Sequence, residues 1–179
     1  MERATILSGF GGQGLLFAGQ VLAQAGMLED KHVSWLPSYG PEMRGGTASC
    51  TVIVADRPIG SPVVDRADVV IALNPPSLAK FEGLLAPGGL LVLNDSLIEA
   101  EPTRADVEVL RVPCSALART VGDERVISII ALGAALARRP IVGEAAVREA
   151  LGAKGGPDVV EANLRALALG LEPGAPVVA

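Results

Sequence analysis

Histidine is almost missing from this chain: His32 is the only one in 179 residues. A His/Cys metal site or a Ser–His–Asp triad would have to use that one side chain, so both are poor candidates. Cysteine is scarce as well. Cys50 and Cys114 stand far apart, which gives neither a disulfide framework nor a C-x-x-C metal or cluster signature. They read as buried, small apolar residues of a protein in a reducing cytoplasm. Basic charge is not in excess. The formal net charge is -5, which leaves no footprint for nucleic acid. No apolar run is continuous for long enough to span a membrane, so no membrane partner is expected. Ala4 to Leu28 carries no charge, follows Arg3 and contains Ala23-Gln24-Ala25, so a secretory signal is the alternative to weigh. A glycine cluster and the glutamines Gln13, Gln20 and Gln24 break that run, and a cytoplasmic protein is expected.

What is present is aliphatic. Half the residues are hydrophobic, yet only 3% are aromatic, and the mean hydropathy is +0.43. Residues 1–179 read as one domain, large enough for a real core. The aliphatic excess fits surface buried against other subunits, or a tight Ala/Val/Leu core, and composition leaves both open.

The chain is organised around Thr5-Ile6-Leu7-Ser8-Gly9-Phe10-Gly11-Gly12-Gln13-Gly14-Leu15-Leu16. A short apolar run passes through a glycine-rich bend into a segment of helical character. Gly9, Gly11 and Gly14 fit G-x-G-x-x-G between a strand and a helix, where that spacing has meaning. Glycine tolerates the angles of a tight turn. Its missing side chain also lets another group approach the helix N-terminus, where free N–H groups and the helix dipole favour an anion. Gly12 and the amide of Gln13 add donors there. The dinucleotide reading expects an acid about 20 positions on, at the end of the second strand. Here Ser38-Tyr39 follow that strand and the nearest acid is Glu42, which counts against it. Two readings stay open: close strand–helix packing alone, or a site for a phosphate group or a partner's backbone.

A second unusual stretch is Pro37-Ser38-Tyr39-Gly40-Pro41-Glu42-Met43-Arg44-Gly45-Gly46. Its prolines and glycines exclude helix and inner strand. It reads as a stiff loop presenting Tyr39, Glu42 and Arg44 at a strand's carboxyl end, where ligands gather in open α/β sheets. The plain alternative is a connector with a local Glu42–Arg44 pair, worth little when exposed.

Elsewhere strands and helices alternate. Strands are expected at Thr5–Ser8, His32–Pro37, Thr47–Val54, Ala67–Asn74, Leu90–Asn94 and, last, Val107–Val112. Helices are expected from Gln13 to Leu28, Pro75 to Leu85, Val126 to Ala137, Gly143 to Leu151 and Asp158 to Leu169. The last of these should turn Val159, Val160, Leu164, Leu167 and Ala168 inward. Asn74 and Asn94 fall at strand ends facing the same rim. The fold class is α/β, with a largely parallel, Rossmann-like sheet, helices on both faces and further helices at the C-terminus.

The glycine bend and the Pro37–Gly46 loop together resemble the gamma subunit of 2-oxoacid:ferredoxin oxidoreductases. Asn-Pro after one buried strand, Pro-Gly-Gly before the next, and the helix ending Ala131-Leu132-Gly133 are similar too. The resemblance runs over nearly the whole chain, and Ser38–Glu42 looks more like the 2-oxoglutarate type than the pyruvate type. It implies a component of a complex that decarboxylates a 2-oxoacid on thiamine diphosphate, sends electrons through iron–sulfur clusters to ferredoxin, and forms an acyl-CoA. The chain has no Gly-Asp-Gly thiamine signature and no cluster-binding cysteine set. Thiamine diphosphate, Mg and the clusters are therefore expected on partner alpha and beta subunits, with no cofactor in this chain and CoA as a substrate of the complex. The expected contact residues for a partner or CoA are Gly9, Gly11, Gly12, Gln13, Gly14, Tyr39, Gly40, Glu42, Arg44, Gly45 and Gly46, on two loops read as leaving adjacent strands. No catalytic or metal-binding residue is expected. Members often carry Asn where Ser128 stands, and no polar role is assigned to it. The alternative is a purely structural assembly subunit.

Overall fold

The longest strands alternate cleanly between two buried faces, and that alternation sets the architecture. A computed structural model describes residues 1–38 and 47–172 and the backbone of 177–178. The strands are β1 (Glu2–Phe10), β2 (His32–Ser38), β3 (Thr47–Ala55), β4 (Ala67–Ala72), β5 (Leu85–Asn94), β6 (Glu108–Val112) and β7 (Val177–Val178). The helices are α1 (Leu15–Leu28), α2 (Pro75–Phe81), α3 (Cys114–Val121), α4 (Ile127–Arg138), α5 (Glu144–Gly152) and α6 (Pro157–Leu171).

The strand order is β2-β3-β1-β4-β5-β6-β7. β1, β4, β5 and β6 run parallel, side by side. β3 runs against both β1 and β2, and β7 runs against β6. The expected fold class is therefore present, with three corrections. β1 and β2 are not adjacent, because β3 lies between them. β6 is not the last strand, since β7 adds to its edge. β2 holds Pro37, opposite Cys50, as expected, but runs one residue further, with Ser38 opposite Ser49. An edge strand tolerates a proline there, where a central one would lose a ladder bond.

Helices cover both faces, unequally. Leu7, Cys50, Val52, Ile71, Val92 and Leu110 point to one face and pack with α1, α3, α4, α5 and α6. Ile6, Val70, Leu91 and Leu93 point to the other and pack with Leu78 and Phe81 of α2 and with Ile98. Pro87-Gly88-Gly89 does not precede β5 but bulges within it. Ala67 pairs with Leu85 while Val69 pairs with Leu90.

α4 is apolar all round because it is covered all round. Each residue from Ile127 to Leu136 is buried. Burial of an Ile such as Ile129 or Ile130 is worth about 1.5–3 kcal/mol. α6 crosses α4 so closely that a Cβ on Gly133 would lie 2.8 Å from the Leu167 carbonyl oxygen. This contact sets which face of α6 turns inward: Asn163, Ala166, Leu167 and Gly170 are buried. Leu167 was expected there. Leu164 packs against the same core while also lining an open surface groove. Val159 is 40% exposed instead, and Val160 and Ala168 line that groove with Gly155 and Pro157.

Candidate functional site at the carboxyl rim of the sheet

At the carboxyl ends of β1 and β4 the chain leaves in opposite directions, α1 to one face and α2 to the other. That divergence makes the crevice where open α/β sheets hold ligands. The glycine turn lies on its rim, and its geometry follows from local bonds. Gln13 folds back instead of pointing outward. Its Oε1 accepts from the Phe10 N–H at 2.8 Å, and its side chain is 8% exposed. Gly9 packs against Leu73, where a Cβ would fall 2.9 Å from that of Leu73.

Gly14 is the residue that only glycine can be. Its φ is +77°, and a Cβ there would collide with the Arg125 carbonyl and lie 2.9 Å from Ser128 Oγ. Gly12 has φ +95°, but a Cβ on it would meet nothing within 4 Å. Gly11 and Gly12 are exposed. So the inner glycines serve close packing, and the outer two present backbone to the surroundings.

Behind the turn is a set of buried polar side chains that sequence reasoning did not name as a site. Ser8 Oγ donates to the Ala48 carbonyl (3.2 Å) and shares a hydrogen bond with Ser77 Oγ (2.9 Å). Asn74 caps α2 by accepting from the Ser77 N–H at 2.9 Å. Asn94 Nδ2 donates to the Leu73 carbonyl (3.3 Å) and to Ser115 Oγ (2.9 Å), and its Oδ1 accepts from the Ser115 N–H. Asn74 and Asn94 are both fully buried. They tie the ends of β4 and β5 to α2 and α3, as their rim position in the sequence had hinted. Ser128 is also fully buried at the rim, and its Oγ has no hydrogen-bond partner among the described residues. A lone serine in an otherwise apolar helix was its only signal.

The other expected contact residues, Tyr39, Gly40, Glu42, Arg44, Gly45 and Gly46, lie outside the described residues. The strands that flank them end at this rim, with Ser38 opposite Ser49 and Thr47 opposite Phe10. The nearby described charges are Asp123, Glu124 and Arg125. Asp123 and Arg125 pair through two nitrogens of the guanidinium at 2.8–3.1 Å, and Glu124 stands exposed in the short helical turn that leads into α4. The Arg125 guanidinium holds the Asp123 carboxyl below the ordinary carboxylate range.

Both cysteines are buried free thiols. Burial pushes the Cys50 thiol up to about 12, against a smaller opposite pull from Trp35. Cys114 is pushed up by burial as well. The Cys50 thiol sits under the first turn of α1, donating to the Leu15 carbonyl at 3.7 Å. Among the described residues no group of three or more His, Cys, Asp or Glu could hold a metal ion. No described helix is long and apolar enough to cross a membrane.

Sheet order, crevice and glycine turn define an α/β protein of the switch-point kind, with its exposed backbone on the carboxyl rim. Its residues 4–172 match the pyruvate ferredoxin/flavodoxin oxidoreductase family, and the chain belongs to it. It is 40% identical over 169 residues to the ketoisovalerate oxidoreductase subunit VorA of Methanothermobacter thermautotrophicus, covering 93% of this chain but only 35% of that protein. It is 31% identical over 175 residues to the 2-oxoglutarate synthase subunit KorC of Methanocaldococcus jannaschii, covering 96% of this chain and 94% of KorC. In structure it is similar to the keto/oxoacid ferredoxin oxidoreductase gamma subunit of Geobacter sulfurreducens, with TM-score 0.86, 31% identity, and 96% and 95% of the two chains covered.

Proposed function

We propose that this chain is the gamma component of a 2-oxoacid:ferredoxin oxidoreductase and packs on subunits that carry the redox cofactors. One observation carries the reading. The chain shares its fold and nearly its full length with the keto/oxoacid ferredoxin oxidoreductase gamma subunit of Geobacter sulfurreducens. Thiamine diphosphate, Mg and the iron–sulfur clusters belong on alpha and beta partners, and ferredoxin is reached through the assembled complex in the cytoplasm. The residues of this chain position: Gly9, Gly11, Gly12, Gln13 and Gly14 form a backbone surface for a partner or for CoA. Tyr39, Gly40, Glu42, Arg44, Gly45 and Gly46 extend it, with Arg44 as the cation for a partner carboxylate or a ligand anion.

The oxoacid we assign is 2-oxoglutarate, because KorC matches this chain end to end. A branched-chain 2-oxoacid is the second reading, favoured by the higher identity to VorA. Purifying the tagged chain from its own cells and assaying oxoacid-dependent dye reduction tests both. We expect partner subunits in the eluate and activity with 2-oxoglutarate. A chain that emerges alone overturns the assembly reading, and preference for 2-oxoisovalerate overturns the substrate. Arg44→Ala should weaken assembly or dye reduction; unchanged values for both would remove that loop from the site. Titration of the complex with CoA, with and without this subunit, separates a contact role from a purely structural one.

A further inference from the structure

α6 uses one face inside the domain and leaves the other open. Leu167 and Gly170 lie against α4. On the outer side Val160, Leu164 and Ala168 line the surface groove, and their spacing of four makes one apolar stripe along the helix. Gly155, in the turn between α5 and α6, lines it too and has no side chain to fill it. The only charged residues on the groove are Glu161 and Arg165. Each follows a stripe residue by one position, so both stand on the same flank.

Those two charges say what fits there. Both are exposed, and Glu four residues before a cation is the favourable order for a pair along one helix. α5 forms such a pair, Glu144 with Arg148 at 2.6 Å. On α6 the pair is not made, and among the described residues neither Glu161 nor Arg165 has an ion-pair partner. A partner surface of a single sign would meet a like charge at one of the two positions. A second α6 running the opposite way meets both. With a two-fold axis at the level of Leu164, Glu161 lies about 4.5 Å along the helix from the axis, and Arg165 of the second copy about 1.5 Å to the same side. The side chains span that offset, and the symmetry makes the pair twice. We propose that this groove is a contact between two copies of the chain, α6 antiparallel on α6, with Glu161 of each copy paired to Arg165 of the other. This goes beyond the assembly reading, which concerns the glycine turn and the loop after β2.

Sedimentation velocity of the full chain across the micromolar range tests it. The mass should rise with concentration from 18.3 kDa toward twice that value. Glu161→Arg makes the flank all basic and Arg165→Glu makes it all acidic. Each places two like-charge contacts across the axis and should weaken the dimer about tenfold or more, with the melting temperature unchanged because both side chains are exposed. An equimolar mixture of the two single variants should dimerise again, since the basic flank of one meets the acidic flank of the other. The double variant Glu161→Arg with Arg165→Glu should dimerise as the natural chain does. A monomer at every concentration overturns the contact. A dimer indifferent to both single substitutions lies on another face and overturns it as well, and so does a mixture that stays monomeric. Failure of partner subunits to co-purify would sink the assembly reading and leave these results untouched.

Discussion

α1 and α2 leave neighbouring parallel strands at the same rim, yet their first turns are finished in opposite ways. α2 is closed by its own sequence: Asn74 accepts from Ser77 and prolines fill the next positions. α1 has no cap, and the residue at its start is a left-handed glycine held against α4. The difference shows what each end is for. A capped end is complete as a piece of fold, whereas an uncapped end costs stability unless something outside the helix uses its donors.

Four changes break or sharpen this contrast. Gly14→Ala should have the largest effect. It combines left-handed strain with a clash against the Arg125 carbonyl, about 3 kcal/mol in all, read as a lower urea midpoint. Asn74→Ala should cost about 1–2 kcal/mol by uncapping α2, while Asn74→Ser keeps a capping oxygen and most of the stability. Thermal melts of the pair would show whether capping is the cause. The buried thiols make a smaller, pH-limited contribution. Their pKa is raised on folding, so an unfolded chain loses those protons from about the ordinary value of 9.0 upward. Stability should be complete below that pH and fall as pH rises above it, as denaturation at pH 8 and 10 would show. Ser128→Ala should be nearly silent in stability, within about 0.5 kcal/mol, because no hydrogen bond is lost.

The sequence carried the fold class because buried strands announce themselves as apolar runs, as at Ala67–Ala72 and Leu90–Leu93. It did not carry strand order. Nothing local to β2 says that β3 will insert between it and β1, since that depends on pairing across the sheet. The inward face of α6 was misread for a similar reason. Val159 and Val160 are apolar, but the approach of Gly170 to α4 decides the rotation of the helix. At the rim, the glycines were legible as a turn because of their spacing. Ser128 was not, since it is distant in sequence and meets Gly14 only in three dimensions. Asn74 and Asn94 were visible as strand ends, but their partners Ser77 and Ser115 were not.

The complete enclosure of α4 has a consequence for how the domain opens. With each residue from Ile127 to Leu136 sealed between the sheet and its neighbouring helices, no partial fraying can admit solvent to its middle. Deuterium should reach those amides only when the entire domain unfolds, making α4 the slowest clock in the molecule.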